Sequence, residues 1–179
     1  NNFEELSKVL TGINGMSDAV SFNGILIGIL FITVSLLFKV AAAPFHMWAP
    51  DVYEGAPTPV TAFFSIVPKI AVLALLLRLF YSTFYDFAEF WQPIFLYTGT
   101  LSMLIGSIGA LYQKKIKRLM AYSGIANVGY MLIGLSAGTV ESMSGVIIYL
   151  IVYVVMMIGF FSFVLGTQTE KDSKLNMYV

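Results

Sequence analysis

The sequence predicts an all-α, polytopic transmembrane helical bundle with five membrane crossings and one proline-broken helix. Of the 179 residues, 58% are hydrophobic and 11% are charged, with a mean hydropathy of +0.83, which is typical of chains whose solvent is lipid. Uncharged runs cover residues 19–38, 90–113, 119–140 and 142–169. Each run is close to or above the roughly 20 residues that span a bilayer as a helix.

The chain is predicted to have three parts. Residues 1–18 form an outer-side loop or amphipathic segment, residues 19–167 the five-helix transmembrane bundle, and residues 168–179 an inner-side tail. The helices of the bundle are predicted at about 20–54 (the broken helix), 58–82, 90–112, 117–137 and 141–166. The span 58–82 carries Lys69 and Arg78, so it crosses only if Lys69 is buried against protein or water and Arg78 reaches the headgroups.

The distribution of charge predicts the orientation. With five crossings, the loop 113–118 and the segment 170–176 fall on the same side and together hold six Lys or Arg residues. The other side holds Lys8 and Arg78, together with six acidic residues. Because inner-side segments are enriched in Lys and Arg, we expect the N-terminus outside and the C-terminus inside.

Composition excludes several classes of site. The absence of cysteine from the sequence excludes disulfide scaffolds, thiolate metal sites and iron–sulfur clusters. A formal net charge of zero gives no indication of nucleic-acid binding. We therefore expect no cofactor and no metal in this chain. The chain is also interpreted as an internal piece of a longer protein.

The segment 38–60 places a lysine, four prolines and the only histidine directly after the first apolar run. Pro44 cannot donate a backbone N–H to the carbonyl of Val40, so the helix is predicted to break between Lys39 and Phe45. In lipid, freed backbone groups need protein or water as partners. A break beside a lysine therefore indicates an internal polar cavity, as in the discontinuous helices of transporters.

A second proline lies beside a second lysine. Pro68 frees the carbonyl of Phe64, and Thr61, Ser65 and Lys69 fall on one face of the predicted helix. Intramembrane ionisable residues are functional candidates by default, so Lys39 and Lys69 are both expected to be buried site residues. The alternative, in which the lysine reaches the headgroups, is more open for Lys39 because it lies near the end of its run.

His46 lies between the two lysines in sequence and is the third candidate, although a lone histidine can equally be a hydrogen-bonded structural residue. The polar stripe of Ser123, Asn127 and Tyr130 is interpreted as a helix–helix contact. The basic cluster at 114–118 is interpreted as a topology signal.

These motifs resemble those of a known family. Lys39, the run APFHMWAPDVYEGAPTPV at 43–60, Pro68-Lys69 and IKRLMAYS at 116–123 resemble the antiporter-like proton-translocating subunits of respiratory complex I. Within this family the resemblance is greatest to the N-type group. It implies a fold of about 14 transmembrane helices with two inverted five-helix repeats, each containing a broken helix. This chain would supply the last two helices of the first repeat and the first three of the second.

The resemblance implies a proton relay of lysine, histidine and water. Lys39 would be the switching site, paired with an acid from another segment, and His46 with ordered water would bridge to Lys69. The family's glutamate partner and its lysine on the second broken helix have no counterpart in these residues. Asn127 stands where many relatives have histidine, and an amide orients water but cannot carry a proton, so a relay role there is disfavoured.

The implied partners are the other membrane-arm subunits of complex I, including a chain that supplies the missing helices of the same subunit, and lipid. The implied location is the mitochondrial inner membrane, or alternatively a bacterial plasma membrane, with electron transfer in other subunits. Two other readings stay open. One is a subunit of a cation/proton antiporter without NADH:quinone chemistry, and the other is a helical spacer without a relay.

Overall fold

The computed structural model describes Glu5, Lys8 and residues 19–176, which are mostly helical, with no strand among them. A π-helical turn (Leu79–Thr83) prolongs the third helix, and a 3-10 turn (Tyr85–Phe87) leads into the fourth. Five helical stretches of the described residues are long and apolar enough to cross a membrane, which confirms the predicted fold class. The helices are α1 (Ala19–Val40), α2 (Trp48–Gly55), α3 (Thr58–Arg78), α4 (Ala88–Leu111), α5 (Ile116–Ser136) and α6 (Val140–Asn176).

The first predicted part lies mostly outside the described residues, and the last predicted helix ends later than expected. Apart from Glu5 and Lys8, the predicted outer segment 1–18 lies outside the described residues. Helix α6 does not end near 166 but continues through the charged residues to Asn176. Lysine and glutamate are good helix formers, so the loss of apolar character at 170 does not end the helix.

Helix α1 ends in a Schellman motif. Ala41 has a φ of 61°, and its N–H donates to the carbonyl of Phe38 at 3.1 Å. The N–H of Ala42 donates to the carbonyl of Leu37 at 3.0 Å, which completes the pattern of this helix ending. Trp48 Nε1 also donates to the Phe38 carbonyl, at 3.0 Å. The carbonyls of Leu37 and Phe38 in the last turn of α1 are thus bonded by protein groups.

The non-helical connection covers residues 41–47, so the predicted break between Lys39 and Phe45 is confirmed. The helix already ends at Val40, before Pro44, through the Schellman motif. Inside the connection, the N–H of Ala43 donates to Ser102 Oγ of α4 at 2.8 Å. Helix α4 therefore holds the break in place.

Helices α4 and α5 approach closely through glycines. A Cβ on Gly106 would lie 2.5 Å from the backbone nitrogen of Ala126, and a Cβ on Gly129 would lie 2.7 Å from the carbonyl oxygen of Gly99. Small residues of this kind let the backbones of membrane helices touch. Helices α2 and α3 both pack against α5 of this pair.

An aromatic core lies where the end of α3 meets the start of α4. The ring of Phe80 lies 5.3 Å from that of Trp91 and 4.8 Å from that of Phe95. All three are fully buried, and Trp91 Nε1 donates to the carbonyl of Phe84 at 2.9 Å. This core fixes the ends of α3 and α4 that the turn between them joins.

Candidate functional site

A cavity of about 510 Å³ lies between α1, α2 and α3, beside the break. Both predicted lysines border it, one from the last turn of α1 and one from the middle of α3. A cavity thus lies beside the break, but it is open to the surface and its lining is mostly apolar, so the predicted internal polar character is not borne out. Its lining consists of Ser35, Phe38, Lys39, Val40, Ala41, Trp48, Tyr53, Phe64, Pro68 and Lys69.

Lys69 is buried, with 4% of its surface exposed, on the same face of α3 as the fully buried Thr61 and Ser65. Its Nζ donates to the hydroxyl of Tyr153 on α6 at 2.9 Å. Within the described part of the chain, no Asp or Glu forms a salt bridge with Lys69. The protonation of a buried amine without a carboxylate partner depends strongly on any charge that comes close to it.

Lys39 is exposed, so the prediction that both lysines are buried is wrong for this one. Its helix packs against α3 and α4, and Lys39 lies in the last turn of α1, at the open side of the cavity. The elements described here cover Lys69 from several sides and leave Lys39 uncovered. The two lysines thus differ in environment although they border one cavity.

Tyr53 joins α2 to the cavity wall. Its hydroxyl donates to the carbonyl of Phe64 at 3.2 Å, which is the carbonyl that Pro68 leaves without its helical donor. The hydroxyl of Thr61 donates in turn to the carbonyl of Tyr53 at 3.0 Å. These two hydrogen bonds connect α2 to α3 in the part of α3 that precedes Pro68.

His46 lies in the connection between α1 and α2 and is buried, with 8% of its surface exposed. Its Nδ1 is buried and has no hydrogen-bond partner among the described residues. His46 does not belong to the lining of the cavity that Lys39 and Lys69 share. The structure thus brings the two lysines to one cavity and places the histidine outside its lining.

The sequence of this chain matches one family over its whole length. Residues 1–179 match the profile of the family described as NADH:quinone oxidoreductase/Mrp antiporter, transmembrane. The chain belongs to this family.

Relatives and a solved structure agree with the family assignment. The chain is 50% identical over 170 residues to NADH-ubiquinone oxidoreductase chain 2 of Marchantia polymorpha, which covers 95% of this chain and 34% of that protein. It is 52% identical over 168 residues to NADH-quinone oxidoreductase subunit N of Rhodospirillum rubrum, which covers 94% of this chain and 34% of that protein. The predicted resemblance to the N-type group is confirmed.

The structural similarity is to respiratory complex I from Thermus thermophilus with bound aureothin. One of its chains aligns with a TM-score of 0.57 and 40% sequence identity, over 72% of this chain and 27% of that one. The chain spans about a third of the length of the curated relatives that it matches. Among the described residues of this family member, no cluster of His, Asp and Glu could hold a metal ion.

The basic cluster after α4 makes contacts that the sequence analysis did not predict. Arg118 donates to Asp51 at 2.7 Å and to Glu54 at 3.2 Å, and Lys115 also pairs with Glu54. The hydrogen bonds from Lys115 and then Arg118 hold the pKa of Glu54 below its ordinary value of 4.5. Lys117 Nζ donates to the carbonyl of Ala56 at 2.8 Å. The cluster therefore fastens α2 to the start of α5.

The polar stripe on α5 acts as a helix–helix contact, as predicted. Asn127 Nδ2 donates to the carbonyl of Ser123 at 2.8 Å, and Tyr149 of α6 donates to Asn127 Oδ1 at 2.7 Å. The rings of Tyr130 and Tyr149 lie 6.1 Å apart. In this member of the antiporter family, Asn127 thus links α5 to α6.

Sequence reasoning missed two tyrosines of the site, Tyr53 and Tyr153. Tyr153 lies 84 positions from Lys69 in the chain, and nothing in the local sequence marks it among the other aromatic residues of α6. Tyr53 could have been found, because a buried carbonyl freed by Pro68 requires a donor from a neighbouring element.

Proposed function

We propose that this chain is part of a proton-translocating, antiporter-like subunit of NADH:ubiquinone oxidoreductase, respiratory complex I. It carries part of a lysine, histidine and water relay through the membrane arm. The observation that supports this most directly is that Lys39 and Lys69 border one cavity beside a broken helix. Ionisable side chains inside a membrane are costly and mark pathways for ions or protons.

In the proposed mechanism Lys39 is the switching site. Burial disfavours the charged form of a lysine and a nearby carboxylate favours it, so movement of an acidic partner makes the amine load or release a proton. The acid would come from another segment, which would also cover the open side of the cavity. His46 and ordered water would connect Lys39 to Lys69, with the orphaned Nδ1 of His46 as a group that a water molecule can bond.

This chain would move protons as a non-redox membrane subunit of the translocase, a proton-pumping NADH:ubiquinone reductase. NADH oxidation and quinone reduction would take place in other subunits of the complex. Its partners would be the other membrane-arm subunits, among them a chain that supplies the remaining helices, and lipid. The location would be the mitochondrial inner membrane, or a bacterial plasma membrane.

A second candidate is a subunit of a cation/proton antiporter that works without redox chemistry. This candidate is retained because the description of the matching family names both NADH:quinone oxidoreductase and Mrp antiporter. The polypeptides that copurify with the native assembly separate the two. Redox subunits in that assembly favour complex I, and their absence favours the antiporter.

The experiment that tests the relay replaces Lys69 by methionine and by arginine in the assembled complex. Methionine keeps most of the volume and removes the titrating group, and arginine keeps the charge but cannot deprotonate. We expect both variants to assemble and to lose most of the protons pumped per electron. Lys114→Met, an exposed lysine of the inner loop, is the matched control and should pump as the wild type does.

The measurement is proton uptake per electron in reconstituted vesicles, with assembly followed on native gels. Electron transfer should slow only as far as it is coupled to pumping. An assembled Lys69→Arg complex with wild-type pumping would overturn the relay role of Lys69.

A further inference from the structure

The amine of Lys69 lies at a junction of three helices. It donates to Tyr153 Oη of α6 at 2.9 Å, and Tyr153 Oη donates to the carbonyl of Ser65 on α3 at 3.1 Å. The Nζ lies 5.1 Å from the centroid of the Tyr153 ring. A Cβ on Gly124 of α5 would collide with this Nζ, so the third helix leaves space only for the amine.

The directions of these hydrogen bonds are fixed. A tyrosine hydroxyl has one proton to donate, and the Ser65 carbonyl receives it. The same oxygen must then act as the acceptor towards Lys69. Lys69 and Tyr153 are 4% and 2% exposed, so the hydrogen bond between them is buried. The hydroxyl of Tyr153 therefore accepts the hydrogen bond of the Lys69 amine.

We propose that Tyr153 is a positioning residue for Lys69. Its hydroxyl holds the amine at the junction of α3, α5 and α6 while Lys69 borders the cavity that it shares with Lys39. This inference rests on the relay proposed above, since it concerns the position of the Lys69 amine during proton transfer in that relay. Without the hydroxyl, the long side chain populates other rotamers, and proton transfer loses the fixed geometry that it requires.

The test places Tyr153→Phe in the complete subunit of the assembled complex. We expect a several-fold lower number of protons pumped per electron and a displaced pH midpoint of pumping, with electron transfer retained in uncoupled vesicles. The matched control is Tyr149→Phe, one turn earlier on α6, whose hydroxyl donates to Asn127 at 2.7 Å. It should pump as the wild type does, with the same pH profile.

A second variant, on α5, should disturb the same hydrogen bond between Lys69 and Tyr153. Gly124→Ala should displace the Lys69 amine from Tyr153, and the flexible end of a lysine can shift without unfolding the bundle. We expect the same loss of pumping as for Tyr153→Phe. If Tyr153→Phe fails to assemble, Gly124→Ala decides the test.

Double variants separate positioning from packing. If Tyr153 acts through Lys69, then Tyr153→Phe and Gly124→Ala cause no further loss in the Lys69→Met background. A further loss there would assign Tyr153 to helix packing and overturn the positioning role. Wild-type pumping by Tyr153→Phe, while Lys69→Met fails, would overturn it too and leave the relay intact. Wild-type pumping by Lys69→Met would overturn the relay itself.

Discussion

At the scale of single residues, a proline and a tyrosine form one unit in this site. Pro68 removes the backbone donor that would bond the carbonyl of Phe64, and Tyr53 Oη supplies a hydrogen bond of 3.2 Å in its place. Tyr53 is 3% exposed, so loss of its hydroxyl leaves the carbonyl without a donor from this side. The cost of an unsatisfied buried acceptor is about 1–3 kcal/mol.

We therefore predict that Tyr53→Phe lowers the free energy of unfolding by about 1–3 kcal/mol. The cost should be smaller in the Pro68→Ala background, because a backbone N–H then reaches the Phe64 carbonyl. Thermal denaturation of the purified assembly in detergent measures both costs. Equal costs in the two backgrounds would show that the tyrosine does not act through this carbonyl.

The environments of the two lysines show what sequence can predict of a site. The neighbouring prolines and the polar face of Thr61 and Ser65 mark Lys39 and Lys69 as candidates. Burial depends on which other helices cover a residue, and those contacts come from distant parts of the chain. The sequence therefore predicts both residues but not that Lys39 is exposed and Lys69 is held by Tyr153.

At the scale of elements, the connection between α1 and α2 depends on a hydroxyl of α4. Ser102 is fully buried, donates to the carbonyl of Thr98 at 2.6 Å, and accepts the N–H of Ala43 at 2.8 Å. Thr100 on the same helix also donates to a carbonyl one turn back, at 2.8 Å, but is exposed. The two hydroxyls differ in that Ser102 also holds the break.

We predict that Ser102→Ala loosens the connection 41–47, because it leaves the Ala43 N–H unsatisfied at a cost of about 1–3 kcal/mol. Amide hydrogen exchange of this segment should speed up about tenfold for each 1.4 kcal/mol lost. Mass spectrometry of the assembled complex measures the exchange. Thr100→Ala is the control and should leave the segment unchanged. Equal exchange in the two variants would contradict the role of Ser102.

Element positions were predictable to different degrees. Long apolar runs and the prolines predict the number of membrane-crossing helices and the place of the break. The Schellman ending at Ala41 was not predictable, because glycine is the usual residue at a positive φ. The continuation of α6 to Asn176 was missed, because hydropathy marks the end of a membrane span and not the end of a helix.

At the scale of the whole molecule, the ion cluster brings two loops to one end of the bundle. Lys115 and Arg118, after α4, pair with Glu54 at the end of α2. Because these bonds lower the pKa of Glu54, the contact is present at neutral pH and is lost as the pH falls below 4.5 and through the lowered pKa. With five crossings these two loops lie on the same side of the membrane in either orientation, so the contact agrees with the number of crossings.

The orientation gives the last prediction, which concerns the connections that precede and follow α5. Tyr112 is 81% exposed on the side that holds the basic loop, and Ala137 is exposed at the opposite end. Because this chain has no native cysteine, Tyr112→Cys and Ala137→Cys each introduce one thiol. In sealed right-side-out vesicles, a membrane-impermeant maleimide should label this chain in Ala137→Cys at once and in Tyr112→Cys only after permeabilisation. The inner position of the basic loop follows from the excess of Lys and Arg, and the reverse labelling pattern would show that the N-terminus lies inside.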